Sequence, residues 1–258
     1  MILTRITHAI REQNWFAVAL EFVIVIAGVV IGFQVTEWRA QAQRDAAEHL
    51  ALERLQAESE AVVTFWSETV SDSVETNRNR QLFVAALSDG ALPTDEVDAF
   101  NDGLVTMGFY AAMTPPNTVF DELLASGGLT QISDLEAREA VSEYASNMDF
   151  IDGQLDQFRL SVSEFMAFTD SYVFNVYDLD SRSLRRVEYN FEALASDPLF
   201  VSKMVGAVRN QRIFLFFRIG ALRSAIEMCV AVSAAVERPC STEPTGQMTL
   251  EAARAFTQ

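Results

Sequence analysis

Residues 15 to 38 read WFAVALEFVIVIAGVVIGFQVTEW, and this stretch decides the fold. From Trp15 to Val35 it carries a single charge, Glu21. As a helix rising ~1.5 Å per residue it spans about 31 Å, close to the hydrocarbon thickness of a bilayer. Trp15 and Trp38 bracket it, and indole rings favour the membrane–water interface. The sequence therefore predicts a transmembrane helix over 15–35. A cleavable signal peptide is the rival reading, because Ala40-Gln41-Ala42 has the small-x-small form of a cleavage site. The apolar run is too long for a signal core, however, and Glu37, Trp38 and Arg39 crowd that site. The segment reads as an uncleaved anchor.

Glu21, Val25, Gly28, Gly32 and Val35 follow helical spacing and so form one stripe. Gly28 and Gly32 make a small-xxx-small groove that lets another backbone approach closely. Glu21 lies just inside the headgroup level, where a lone carboxylate is costly unless it snorkels or finds a partner. Chance placement of two glycines and a snorkelling acid is the bland alternative. The acid and the groove on one face point to packing against another helix, of a second copy or of another subunit.

The formal net charge is −17. Residues 1–36 are neutral, with Arg5 and Arg11 against Glu12 and Glu21, so the whole excess lies further on. An acidic body argues against nucleic acid and against lying flat on anionic lipid; its plainest role is solubility. Lys203 is the only lysine. Basic residues flank the anchor evenly, Arg5 and Arg11 before it and Arg39 and Arg44 after it, so the positive-inside rule does not decide orientation. The acidic body and the cysteine pair favour a cytoplasmic N-terminus over 1–14 and an extracytoplasmic, periplasmic body. Cys229 and Cys240 either pair in an oxidising compartment or serve as small core residues in a reducing one.

Beyond the anchor the pattern is helical and predicts an antiparallel bundle over 36–240, all-α in class. Leu52, Leu55, Val62, Phe65, Trp66 and Val70 fall at three- and four-residue steps, an amphipathic stripe. Asn77-Arg78-Asn79-Arg80 interrupts it and suggests a kink or break. Thr94, followed by Asp95 and Glu96, predicts a helix start, and Thr118–Leu124 a brief helix stopped at Gly127-Gly128. Ser133-Asp134-Leu135-Glu136 reads as a capping box opening a long helix to about Tyr177. Residues 178–190 read as loop. Ser196-Asp197-Pro198 opens a last long helix to about Glu237. Its run from Ile213 to Val236 is apolar, but Arg218, Arg223 and Glu227 argue against a second membrane span. The tail, 241–258, contains Pro244 and Gly246 and reads as loosely ordered with a weak helix near its end.

No reaction chemistry is legible. His8 and His49 are far apart, and neither an HExxH, a phosphate loop nor a GxSxG elbow occurs. Asp149 with Asp152, and Asp178 with Asp180, are surface acids in an acidic chain before they are catalytic pairs. Arg182, Arg185 and Arg186 form a basic cluster that reads as a solvated loop. Phe214, Phe216 and Phe217 read as core. No catalytic residue, cofactor or metal is expected.

Two stretches carry a resemblance. One is Glu21 through Gln34 with Trp38; the other is Thr118 through Leu129, TVFDELLASGGL, followed by Ile132 and Tyr144. Together they resemble an uncharacterised family of bacterial single-pass inner-membrane proteins, a domain of unknown function. That family has a glutamate opening its membrane helix, a glycine in the middle, a tryptophan just after it, and a helix–glycine–leucine turn in the body. The resemblance covers the first 60 residues and roughly 115–150. It implies an anchor in which Glu21, Gly28 and Trp38 act as a set, and implies no activity.

The expectation is a non-enzymatic accessory or structural subunit, whose partners are the bilayer and other transmembrane helices or its own copies. The alternative is an extracytoplasmic helical-bundle sensor or adaptor that relays a signal to a membrane partner.

Overall fold

The computed structural model describes residues 15–109, 114–179 and 185–257, with the side chains at 15–17 and 185 left out. The expected cytoplasmic segment 1–14, with His8, and residues Asp180 and Arg182 lie outside the described residues. The chain divides into two units, Met1–Leu50 and Ala51–Gln258. The first holds the start of helix α1, Trp15–Asp89. Among the described residues α1 is the one helix long and apolar enough to cross a membrane.

The second unit is a helical bundle. Its elements are the rest of α1, α2 (Val97–Thr106), α3 (Thr118–Ser126), a 3-10 turn (Gly128–Gln131), α4 (Leu135–Thr169), β1 (Phe174–Tyr177), β2 (Arg185–Glu188), α5 (Phe191–Ser196), α6 (Pro198–Ala235) and α7 (Glu243–Thr257). Helix α6 runs antiparallel to both α4 and α1. Asn147 donates to Ser224 Oγ at 2.9 Å, Phe158 stacks on Phe214 at 4.5 Å, and Phe168 meets Phe200 at 6.1 Å, so numbers rise along α4 as they fall along α6. On the other side Arg218 donates to Ser73, and Arg238, just past α6, bonds Glu53 at 2.5 Å.

Apolar side chains collect in two clusters. One joins Leu55, Val62, Trp66 and Val70 of α1 to Val141, Tyr144 and Ile151 of α4 and to α6 and α7. The other joins Phe83 and Leu87 of α1 to Phe100 of α2, Leu194 of α5, and Phe200 and Met204 of α6. The stripe expected from sequence is thus the buried face of α1. In the first cluster Trp66 Nε1 donates to the Tyr144 hydroxyl at 3.2 Å.

Local chemistry sets the helix ends. Gly127, at φ 70°, ends α3 in the left-handed conformation that costs glycine least. The start of α3 is capped from another helix: both Glu58 carboxylate oxygens accept, from the Val119 amide at 2.8 Å and the Phe120 amide at 2.9 Å, where the helix dipole also favours an anion. Glu60 likewise accepts from the Ser241 amide at 2.7 Å. Part of the acidic excess of α1 therefore does structural work. Asp197 caps α6, accepting from the Leu199 and Phe200 amides at 2.8 and 3.2 Å, and Tyr172 donates to its other oxygen at 2.8 Å. These bonds, the tyrosine's first, hold the Asp197 carboxyl below the usual range.

Several expectations need correction. Helix α1 passes through Asn77–Arg80 without a break; Asn77 and Arg80 face inward, and Asn77 donates to the Ser73 carbonyl at 2.8 Å. Helix α2 starts at Val97, later than Thr94 suggests. The cap of α4 is Asp134, one residue later than the expected capping box places it, and it accepts from the Ala137 amide at 2.8 Å. Helix α4 stops at Thr169, and strand β1 takes the stretch expected to end the helix; it pairs antiparallel with β2, which lies in the expected loop, Phe174 with Glu188 and Tyr177 with Arg185. Phe214 is buried, whereas Phe216 is exposed.

The tail is not loose. Residues 243–257 form α7, with Leu250 only 2% exposed. Pro244 sits in the first turn, where a missing amide hydrogen costs nothing. Gly246 lies where an added Cβ would fall 2.7 Å from Ile226 Cδ1 and 3.1 Å from Val63 Cγ1, so the glycine lets α7 settle onto both neighbours. A disulfide joins Cys229 of α6 to Cys240, just before α7.

Candidate functional site

Two regions merit description, one in each unit. In the first, every described side chain from Val18 to Val35 is exposed, with Phe33 71% accessible. Successive residues of a helix face all round it, so no face of this segment is covered by the described protein. A contiguous apolar surface of this extent marks a site of contact with a membrane or with another protein. Glu21 and Val25 lie on it, and nothing stands within 4 Å of a Cβ added at Gly28 or Gly32. Trp38 is 72% exposed; Trp15 opens α1, its side chain outside the described set.

The stripe is longer than sequence reading found. Thr36 Oγ1 donates to the Gly32 carbonyl at 2.9 Å, turning its hydroxyl back onto its own helix. Gly28, Gly32 and Thr36 are then three small residues at four-residue steps. The signal was present in that spacing. A groove of this shape admits a second backbone, and the Glu21 carboxylate at its end can accept a hydrogen bond from a partner. The cysteines are remote in sequence from this face and are consumed in the disulfide.

The second region lies between the two apolar clusters of the bundle. Ser73, Asn77 and Arg80 of α1 and Gln211 of α6 are buried there, and Arg218 of α6 is largely so. Gln211 reaches the Met107 and Phe109 carbonyls at 2.8 and 3.3 Å. Arg80 donates to the Thr106 carbonyl at 2.5 Å, and Arg218 to Ser73 Oγ. The Arg218 guanidinium also lies 4.9 Å above the Phe214 ring. Burial holds both guanidinium groups below the ordinary arginine value. For Arg80 the like charge of Arg218 adds to the effect and Asp102 opposes it. Sequence reading used Arg218 only to argue against a membrane span and took Arg80 for part of a break. Their meeting is a property of the fold, invisible in either segment alone.

The other sequence candidates stay apart. Asp149 and Asp152 are exposed on α4. Arg186 bonds Glu188, two residues along β2, at 2.6 Å. Among the described residues no group of three or more His, Cys, Asp or Glu is placed to hold a metal ion. No family model matches the chain, and no curated protein or solved structure does either.

Proposed function

We propose that this chain is a single-pass membrane protein whose helix over 15–35 packs through the Glu21, Val25, Gly28 and Gly32 face against another membrane helix, and that it serves as a non-enzymatic accessory or structural subunit. The observation that carries the reading is the uncovered apolar surface from Val18 to Val35, with open space over both glycines. Lipid answers the apolar part; a second helix answers the groove and the carboxylate. The Cys229–Cys240 disulfide supports an oxidising compartment for the bundle, hence a cytoplasmic N-terminus and a periplasmic body at a bacterial inner membrane. The resemblance of Glu21, Gly28 and Trp38 to the single-pass family described above supports the same arrangement.

Native mass spectrometry after gentle detergent extraction tests it. A defined oligomer or stable partners are expected for the parent chain. In Gly28→Leu with Gly32→Leu, side chains fill the groove, so assembly is lost while the thermal unfolding of the bundle is unchanged. Unaltered assembly of the double variant removes the packing face from the reading. A second reading, an extracytoplasmic sensor or adaptor, is favoured by one observation, the buried Arg80 and the half-buried Arg218 that line a cleft in the bundle.

A further inference from the structure

Between its two apolar clusters the bundle buries positive charge that the described protein does not neutralise. Arg80 is 3% exposed, and Arg218 faces it from α6. Neither forms an ion pair among the described residues. Each donates one side-chain hydrogen bond, and the Nε of each is buried with no acceptor. Asp102 is close enough to act on Arg80 electrostatically, yet its carboxylate accepts from Asn79 at 2.8 Å. Like charges drawn out of water without a contact ion pair carry a desolvation penalty, which in a chain of net charge −17 is not for want of acids elsewhere.

Both arginines line a cleft of about 160 Å³ with Thr69, Asp72, Ser73 and Thr76 of α1. We propose that this cleft binds a small oxyanion, a carboxylate or phosphate group held between the Arg80 and Arg218 guanidinium groups. Guanidinium forks match the paired oxygens of these groups, and their spare N–H donors are what the cleft offers. The Ser73 and Thr76 hydroxyls add no donors, since Ser73 donates to the Thr69 carbonyl at 2.5 Å and Thr76 to the Asp72 carbonyl at 2.8 Å; the arginines carry the binding. The cleft volume admits a small acid and excludes a polymer. Asp72 lines it with an exposed carboxylate, which weakens the hold on any anion. The site stands on the bundle alone and holds whether or not the membrane face packs against a helix.

The test uses the full chain in nanodiscs of zwitterionic lipid, so that no anionic headgroup competes. Thermal unfolding is followed while sodium phosphate or sodium succinate is added, with sodium chloride at matched ionic strength as control. A saturable rise in Tm with phosphate, succinate or both is expected, and which of them acts identifies the phosphate or carboxylate source. Chloride gives no comparable rise. In Arg218→Met the apparent affinity falls about tenfold or more, as loss of a charged hydrogen-bond donor requires. Equal responses to chloride and the oxyanions, or a full response in Arg218→Met, overturn the proposal. Should Arg218→Met not fold, Asp72→Asn decides: tighter binding supports the site, and unchanged affinity removes it.

Discussion

Helix α1 contains two kinds of apolar surface. Between Val18 and Val35 large apolar side chains occupy twelve of the eighteen positions and point in every direction, and all of them are exposed. Between Leu52 and Val70 they keep to one stripe, and that stripe is buried against α4, α6 and α7. The difference teaches that the arrangement of apolar residues, more than their number, tells what covers a helix. A stripe calls for neighbouring helices; an unbroken apolar barrel calls for a solvent that is itself apolar.

Alanine substitution is the sharpest way to break this contrast. Trp66 is wholly buried, so Trp66→Ala should lower the unfolding free energy of the bundle by about 3–5 kcal/mol in denaturant titrations. Phe33→Ala, in the exposed barrel, should leave it within about 0.5 kcal/mol of the parent. Equal losses at the two positions would erase the distinction. Next in size is the crosslink. Replacing Cys229 and Cys240 together by alanine opens a loop of sequence separation 11 and should cost about 3 kcal/mol, with the parent showing no free thiol on non-reducing peptide mapping.

The smallest effect sharpens what the buried stripe contains. Tyr144→Phe leaves Trp66 Nε1 without its acceptor and should cost about 1–3 kcal/mol. Burial is the main cause that pushes the Tyr144 phenol up to about 12, with Glu58 and Asp121 adding to it and the Trp66 bond opposing. An unfolded phenol ionises near 10. Between these values the folded state keeps a proton that the unfolded chain has released, so stability falls as pH rises. The gap between the parent and Tyr144→Phe is therefore complete below pH 10 and closes toward pH 12, as urea titrations at stepped pH would record.

Sequence periodicity carried the long helices because their apolar residues repeat over many turns. Leu52 through Val70, and Val141 through Val162, fall on the faces that the cores bury. The hairpin was illegible because strands of four residues offer too few alternations to stand out. Helix α7 was hidden by Pro244 and Gly246, residues that usually interrupt helices; here one sits in the first turn and the other is required by the closeness of Ile226. Asn77 and Arg80 looked like a solvated break, since burial of a polar side chain depends on what the opposing helix provides. The arginine cleft was beyond reach for the same reason: α1 and α6 supply one guanidinium each. The long apolar start of α1 was the most legible part, because composition along a single helix defines it.

The polar layer between the two apolar clusters has one more consequence. Residues on its two sides share α1 and α6 but belong to different greasy compartments. Two separately packed clusters set up two protection classes: if each opens on its own, amides around Phe83 and Phe200 exchange at a different free energy from those around Trp66 and Tyr144 in native-state hydrogen exchange.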